Sequence, residues 1–200
     1  ASVFSFSSRC AAGVPPATRY FRRTFSLPSA APNAQLVVTG DDTADVWVNG
    51  VQVSASPRVT DSWRRAAVVD LRGRLVAGTN VIAVAAQNTT QSPAGVVAKL
   101  TVPGGTTLVT DGAWKAFPSA PAGWAAPGFD DGAWPAARAV AAYGGGPWAS
   151  GVAVSGPAPL LRKGFSVTKP VQQARLLTTA LGLHETRLNG AKVGADVLAP

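Results

Sequence analysis

The chain has 200 residues and a mass of 20.3 kDa, room for one well-buried core and a small appendage but not for two domains of ordinary size. Apolar residues make up 46% and charged residues 14%, which excludes a disordered chain, and no run approaches the roughly 20 apolar residues of a membrane helix. The net charge of +8 would suit a polyanionic partner. The basic residues are spread thinly, however, and the densest run, Arg64 to Arg74, is broken by the apolar stretch Ala66–Val69, so a solvated basic surface is preferred to a nucleic-acid footprint.

Twenty-one glycines and sixteen prolines would interrupt long helices almost everywhere, which favours short strands joined by turns and an all-β class. Residues 1–19 are small and polar and read as an irregular lead-in. From Tyr20, "YFRRTFSL" alternates aromatic and polar residues, placing Tyr20 or Phe21 on one sheet face and the arginines mostly on the other or at the edge. "AQLVVTG" and "ADVWVNG" follow, with Asp41-Asp42 in the turn between them. Asn49-Gly50, between "VWV" and "VQV", is the dipeptide that accepts positive φ at both central positions of a type I′ hairpin turn.

"AAVVDL", "TNVIAVAAQ" and "GVVAKLTV" continue the strand pattern, with "LVAGTN" as the entry to an inner strand. Between Pro103 and Pro159 regular alternation fades and four tryptophans appear: Trp114, Trp124, Trp134 and Trp148. Segments of this kind usually wrap a sandwich and plug its open edges, so a structural role is preferred to sugar stacking. Sliding the chain by 140 residues then aligns Phe21–Val53 with Leu161–Val193 without a gap, matching Arg22 to Arg162, Phe25 to Phe165, Leu36 to Leu176 and Asn49-Gly50 to Asn189-Gly190. The second copy lacks the strands that followed the first. The expected organisation is a lead-in at 1–19, a β-sandwich at 20–160, and at 161–200 the first strands of a second, incomplete β-domain.

The chemistry on display is sparse. Glycoside hydrolysis needs two facing carboxylates, whereas the adjacent pairs Asp41-Asp42 and Asp130-Asp131 are expected to point apart, as neighbours on a strand or turn do. With Cys10 as the only cysteine and His184 as the only histidine, zinc and thiol chemistry have almost no support. Aspartates in loops do suit calcium, and Asp41, Asp42, Asp130 and Asp131 are the candidate ligands, although no cofactor is required. Trp47, Asp41 and Asp42 are the candidate sugar-binding residues, a buried position being preferred for Trp47. Asn88-Thr89-Thr90 fits a glycosylation sequon. The start of the chain lacks a basic, then apolar, leader; the compartment stays open, with an extracellular one favoured over the cytoplasm.

The strings "RYFRRTFSL", "TGDDTADVWVNGVQV", "AGTNVIAVAAQN", "TDGAWK", "PGFDDGAWPAA" and "GGGPW", followed by "ALGLHETRLNGAKVGADVLAP", resemble the N-terminal region of the α-L-rhamnosidases of glycoside hydrolase family 78, from about Arg19 to Pro200. The resemblance implies a non-catalytic, galactose-binding-like jelly-roll followed by the start of another sandwich, and a separate (α/α)6 domain that carries the catalytic carboxylates. No position here corresponds to those carboxylates. The implied partners are the other domains of the same hydrolase and rhamnose-containing carbohydrate. The rival readings are a stand-alone lectin-like module and a basic module for acidic polysaccharide or nucleic acid.

Overall fold

The computed structural model describes residues 2–5, 13–59, 61–142, 148, 151–154, 161–178 and 185–194, with 2–5 and 140–142 described by backbone alone. Cys10, His184 and the Gly144–Gly146 run lie outside the described residues. Contacts divide the chain into two units, residues 1–158 and 159–200. No α-helix occurs among the described residues, in keeping with the all-β expectation.

The first unit is a sandwich of two sheets. One contains β1 (Ser2–Ser5), β3 (Gln35–Asp41), β6 (Arg65–Asp70), β8 (Gly95–Thr101), β9 (Thr107–Val109), β11 (Ala139–Ala142) and β12 (Ala153–Val154), in the order β11-β1-β8-β3-β6-β12 with β9 also on β8. The other runs β10-β2-β7-β4-β5, from β2 (Ala17–Leu27), β4 (Thr43–Val48), β5 (Val51–Ser54), β7 (Gly78–Asn88) and β10 (Lys115–Phe117). β2 and β7 pair antiparallel over eleven residues, from Ala17 opposite Asn88 to Leu27 opposite Gly78. β7 is thus the inner strand expected after "LVAGTN", and Gly78 enters it at φ 83°, a conformation that favours glycine.

Side-chain alternation sets the core. Leu36 and Val38 of one sheet meet Val46, Val48, Ile82 and Val84 of the other, all essentially inaccessible to solvent. β7 is buried on both faces over part of its length: Ile82, Val84 and Ala86 face the sandwich interior, while Val81 and Ala83 join Ala125, Trp47 and Trp124 in a separate cluster on the outer face. The stretch from Pro118 to Ala137 therefore covers part of the five-stranded sheet. This is the wrapping role expected of the tryptophan-rich region, and Trp114, Trp134 and Trp148 are buried. Trp114 Nε1 donates to the Val109 carbonyl at 2.9 Å and Trp148 Nε1 to the Trp63 carbonyl at 3.0 Å, so these two buried indole N–H groups have acceptors.

Asn49 (φ 50°) and Gly50 (φ 85°) both take positive φ, as a type I′ turn demands. In the second unit, β13 (Arg187–Leu188) and β14 (Ala191–Lys192) pair antiparallel across Asn189 (φ 51°) and Gly190 (φ 85°). At the hairpin turn the sequence repeat is therefore also a repeat of backbone geometry, whereas residues 161–178, aligned with β2 and the start of β3, form no strand. Around this hairpin the apolar side chains remain open to solvent: Leu161 and Leu177 are each 93% exposed, and Phe165 and Leu176 are more exposed than buried. The partners of Leu161, Phe165 and Leu176 in the alignment, Phe21, Phe25 and Leu36, pack in or against the core of the first unit.

Candidate functional site

Where the Pro118–Ala137 cover stops, the outer face of the five-stranded sheet holds a groove of about 370 Å³, within the size range of small-molecule sites. Its floor comes from alternate residues of three strands: Thr18 and Tyr20 of β2, Ala85 and Gln87 of β7, and Thr43, Asp45 and Trp47 of β4. Ala120 and Trp124 of the cover form one wall and Arg58 the opposite rim. The Trp124 ring meets Trp47 edge-to-face at 5.3 Å and 66°, and Tyr20 at 5.1 Å and 73°, the geometry that aromatic quadrupoles favour. Behind Trp124, Trp134 stacks at 6.3 Å and Phe117 stacks on Trp134 at 5.2 Å.

The polar side of the groove is ordered by one ion pair. Arg58 Nη2 donates to Asp45 Oδ2 at 2.6 Å, and Asp45 Oδ1 accepts the Ser56 N–H at 3.3 Å. Arg58 is 54% exposed, so this pair adds little stability; it presents a carboxylate and a guanidinium side by side. Thr43 lines the groove at the β7 side, and its shielded Oγ1 has no hydrogen-bond partner among the described residues.

Three expectations need correction here. Trp47 is not core: it lies on the outer sheet face, half-buried, because β4 turns Val46 and Val48 inward and strand alternation sends Trp47 the other way. Arg22 lies on the face opposite Phe21, as expected, but it is not a solvated basic side chain: it is 1% exposed and sealed under a segment about a hundred residues further along the chain. Asp41 and Asp42 do not point apart. Asp41 ends β3 and Asp42 lies between strands, where alternation no longer applies, and their carboxyl groups are hydrogen-bonded to each other.

That acid pair adjoins the groove through Thr43, the next residue. Burial, then the hydrogen bond and charge of Asp42, then the charge of Asp61, push Asp41 up to about 7. Burial opposes the charge of Asp42 as well, but the hydroxyl and amide of Thr89 and the Asp41 carboxyl donate to it and hold it below the usual carboxylate range. Asp130 and Asp131 serve elsewhere. Asp130 Oδ1 accepts the Gly132 N–H at 2.8 Å, an ordinary turn contact. Asp131 binds Arg22 at 2.9 Å and Lys115 at 3.0 Å; burial raises its pKa, and the two cations outweigh that and hold it down.

The four aspartates thus sit in two separate settings, and no cluster of three or more acidic, histidine or cysteine side chains fit for a metal occurs among the described residues. Asp131, saturated by two cations, does not fit a calcium ligand. Asp41 and Asp42 fit better: a nearly buried carboxyl without a cationic partner is neutralised by a proton, and a hard cation would take the proton's place. The sequon residue Asn88 is 1% exposed, and its Nδ2 donates to the Val14 carbonyl at 2.9 Å, so the folded chain offers no acceptor amide there. Arg58 and Gln87 escaped the sequence reading. A period-2 tally that places Thr43, Asp45 and Trp47 on one outer face would have drawn attention to the neighbouring strand, but Arg58 has no such signal.

Comparison with known proteins agrees with this architecture. The model of the α-L-rhamnosidase N-terminal domain family matches residues 169–200. A curated α-L-rhamnosidase of Streptomyces avermitilis is 42% identical over 193 residues, which is 93% of this chain and 19% of that protein. The chain therefore spans about a fifth of that relative's length. The crystal structure of the S. avermitilis α-L-rhamnosidase complexed with L-rhamnose superposes with a TM-score of 0.68 at 38% identity, over 74% of this chain and 15% of that one. The Pleurotus ostreatus lectin in complex with GalNAc gives a TM-score of 0.67 at 28% identity, over 80% of this chain and 48% of the lectin. A family 78 rhamnosidase of Bacillus sp. GL1, with a TM-score of 0.67 at 24% identity over 77% of this chain and 19% of that one, shares the fold.

Proposed function

We propose that this chain, similar over nearly its whole length to the N-terminal region of family 78 α-L-rhamnosidases, is a carbohydrate-binding, non-catalytic part of such a hydrolase. Hydrolysis of terminal α-L-rhamnosyl residues would fall to another domain of the same protein, and this region would orient that domain and hold glycan near it. The observation that carries the reading is the groove itself. Trp47, Trp124 and Tyr20 offer an apolar wall to the C–H face of a pyranose, while Asp45, Arg58 and Gln87 offer donors and acceptors to its hydroxyls. The L-rhamnose and GalNAc complexes of the structural relatives support a sugar as the occupant.

Titration calorimetry of the 200-residue chain with L-rhamnose and with N-acetylgalactosamine tests this. Saturable binding that disappears in Trp47→Ala is expected; silence for both sugars would refute it. A second reading, a lectin-like module with calcium, is favoured by the buried Asp41 carboxyl beside Asp42. On that reading Asp41 and Asp42 would hold the ion, which would supply positive charge for sugar hydroxyls next to Thr43. Sugar binding unaffected by a chelator would remove the calcium.

A further inference from the structure

We propose that Arg22 and Asp131 form a positioning pair that sets the width of the groove by holding Trp124 in place. The inference rests on the carbohydrate reading of that groove and assigns a specificity role to residues that do not touch it. Arg22 belongs to β2, where its register partner is Ala83 of β7. Its side chain reaches outward from the sheet and is then covered by the segment that carries Trp124. Nη1 donates to the carbonyls of Trp124 and, at 3.2 Å, of Ala126; Nη2 donates to the Phe129 carbonyl at 3.4 Å; Nε donates to Asp131 Oδ2 at 2.9 Å. The guanidinium carbon also lies 5.2 Å from the centre of the Phe129 ring.

Among the described residues the segment's backbone is tied to the sheet only near its end, where Ala116 N–H donates to the Pro135 carbonyl at 3.0 Å and Ala137 N–H to the Trp114 carbonyl at 2.7 Å. The part that carries Trp124 therefore needs an anchor of its own. Between Phe117 and Ala139 the structure has no strand, and the backbone bonds there are mostly single turns: Trp124 N–H to Pro121, Ala126 N–H to Gly123 and Phe129 N–H to Ala126. Isolated turns of this kind do not hold a long loop to a sheet. A planar fork that satisfies three carbonyls and a carboxylate at once does, and a lysine offers no such fork. Lys115 completes the arrangement, its Nζ donating to the Asp131 carbonyl at 2.7 Å and to Oδ1 at 3.0 Å. Trp124 is thereby fixed against Trp47 and Tyr20, and a misplaced wall of even about 1 Å weakens a site built on contact.

The test replaces the pair while leaving the groove lining intact. The full chain is labelled with 5-fluorotryptophan, the Trp124 resonance is assigned with Trp124→Phe, and L-rhamnose affinity is measured by calorimetry. Asp131→Asn is expected to keep the sandwich, broaden or shift the Trp124 resonance, and weaken L-rhamnose binding about tenfold. Arg22→Lys, which retains the charge and loses the fork, should do the same or more. Should Asp131→Asn fail to fold, Lys115→Gln takes its place, with the same changes in smaller degree. A Trp124 signal unchanged in these variants, or unchanged affinity beside an altered signal, overturns the positioning role. If the wild-type chain binds no sugar at all, the carbohydrate reading fails, and the fluorine spectra still decide whether the pair holds Trp124.

Discussion

Asp41 offers the sharpest quantitative test. Asp41 is 6% exposed, and its carboxyl, hydrogen-bonded to that of Asp42, is raised from an ordinary 3.8 to about 7. A carboxyl with a higher pKa in the folded chain binds its proton more tightly there, so its contribution to stability is fully present below pH 4 and is lost as pH rises through about 7. At 1.36 kcal/mol per unit of pKa, the whole swing comes to about 4 kcal/mol, a large part of the roughly 5–15 kcal/mol of a typical domain. Asp41→Asn removes the titration and keeps a donor for Asp42. In calcium-free buffer, urea unfolding followed by tryptophan fluorescence at pH 4 and pH 8 should give similar stabilities for wild type and variant at the acid end. At pH 8 the variant should be more stable by up to about 4 kcal/mol. Because every other group titrates in both proteins, the difference isolates Asp41. Parallel stability profiles across that range would refute the reasoning.

Thr43→Val removes a shielded hydroxyl that has no hydrogen-bond partner among the described residues, so unfolding should show an unchanged or slightly higher midpoint, whereas loss of a satisfied hydroxyl would cost about 1 kcal/mol. Gly40→Ala should lower the melting temperature by several degrees, since a Cβ there would meet the Thr43 carbonyl oxygen at 2.7 Å and Ala44 Cβ at 3.0 Å. In hydrogen exchange, amides of residues 161–178 should exchange far faster than those of β2 and β7, because apolar side chains such as Leu161 and Leu177 have no cover while the β2–β7 ladder is complete. Strong protection there would show that this stretch packs against a partner.

Local chemistry carried a good deal of the outcome. The Asn-Gly turns are legible because few dipeptides accept positive φ twice, and both copies adopt it at Asn49-Gly50 and Asn189-Gly190. The strands are legible because their inward residues alternate with outward ones, and Val46 and Val48 face the core as that pattern requires. The same alternation contained the position of Trp47, but the size of an indole argued for burial more strongly than its parity argued for exposure. The structural role expected of the later tryptophans is seen in the burial of Trp114, Trp134 and Trp148, while Trp124 both covers β7 and borders the groove, and nothing local separates an indole that plugs an edge from one that borders a groove.

By itself, then, the sequence determined the elements with a short-range cause: an all-β chain, its two like hairpin turns, and the loop aspartates Asp130 and Asp131. Tertiary structure alone decided what those residues meet. Arg22 became a buried anchor because a segment a hundred residues away lies over it. Asp41 became a carboxyl that keeps its proton near neutrality because the fold buries it, with the carboxyl of Asp42 and the charge of Asp61 adding to the effect, and Arg58 joined a groove only when its loop folded back against Asp45. Charge and burial at each of these places depend on neighbours distant in the chain, and the electrostatic energy of a group is set by what surrounds it rather than by its own chemistry.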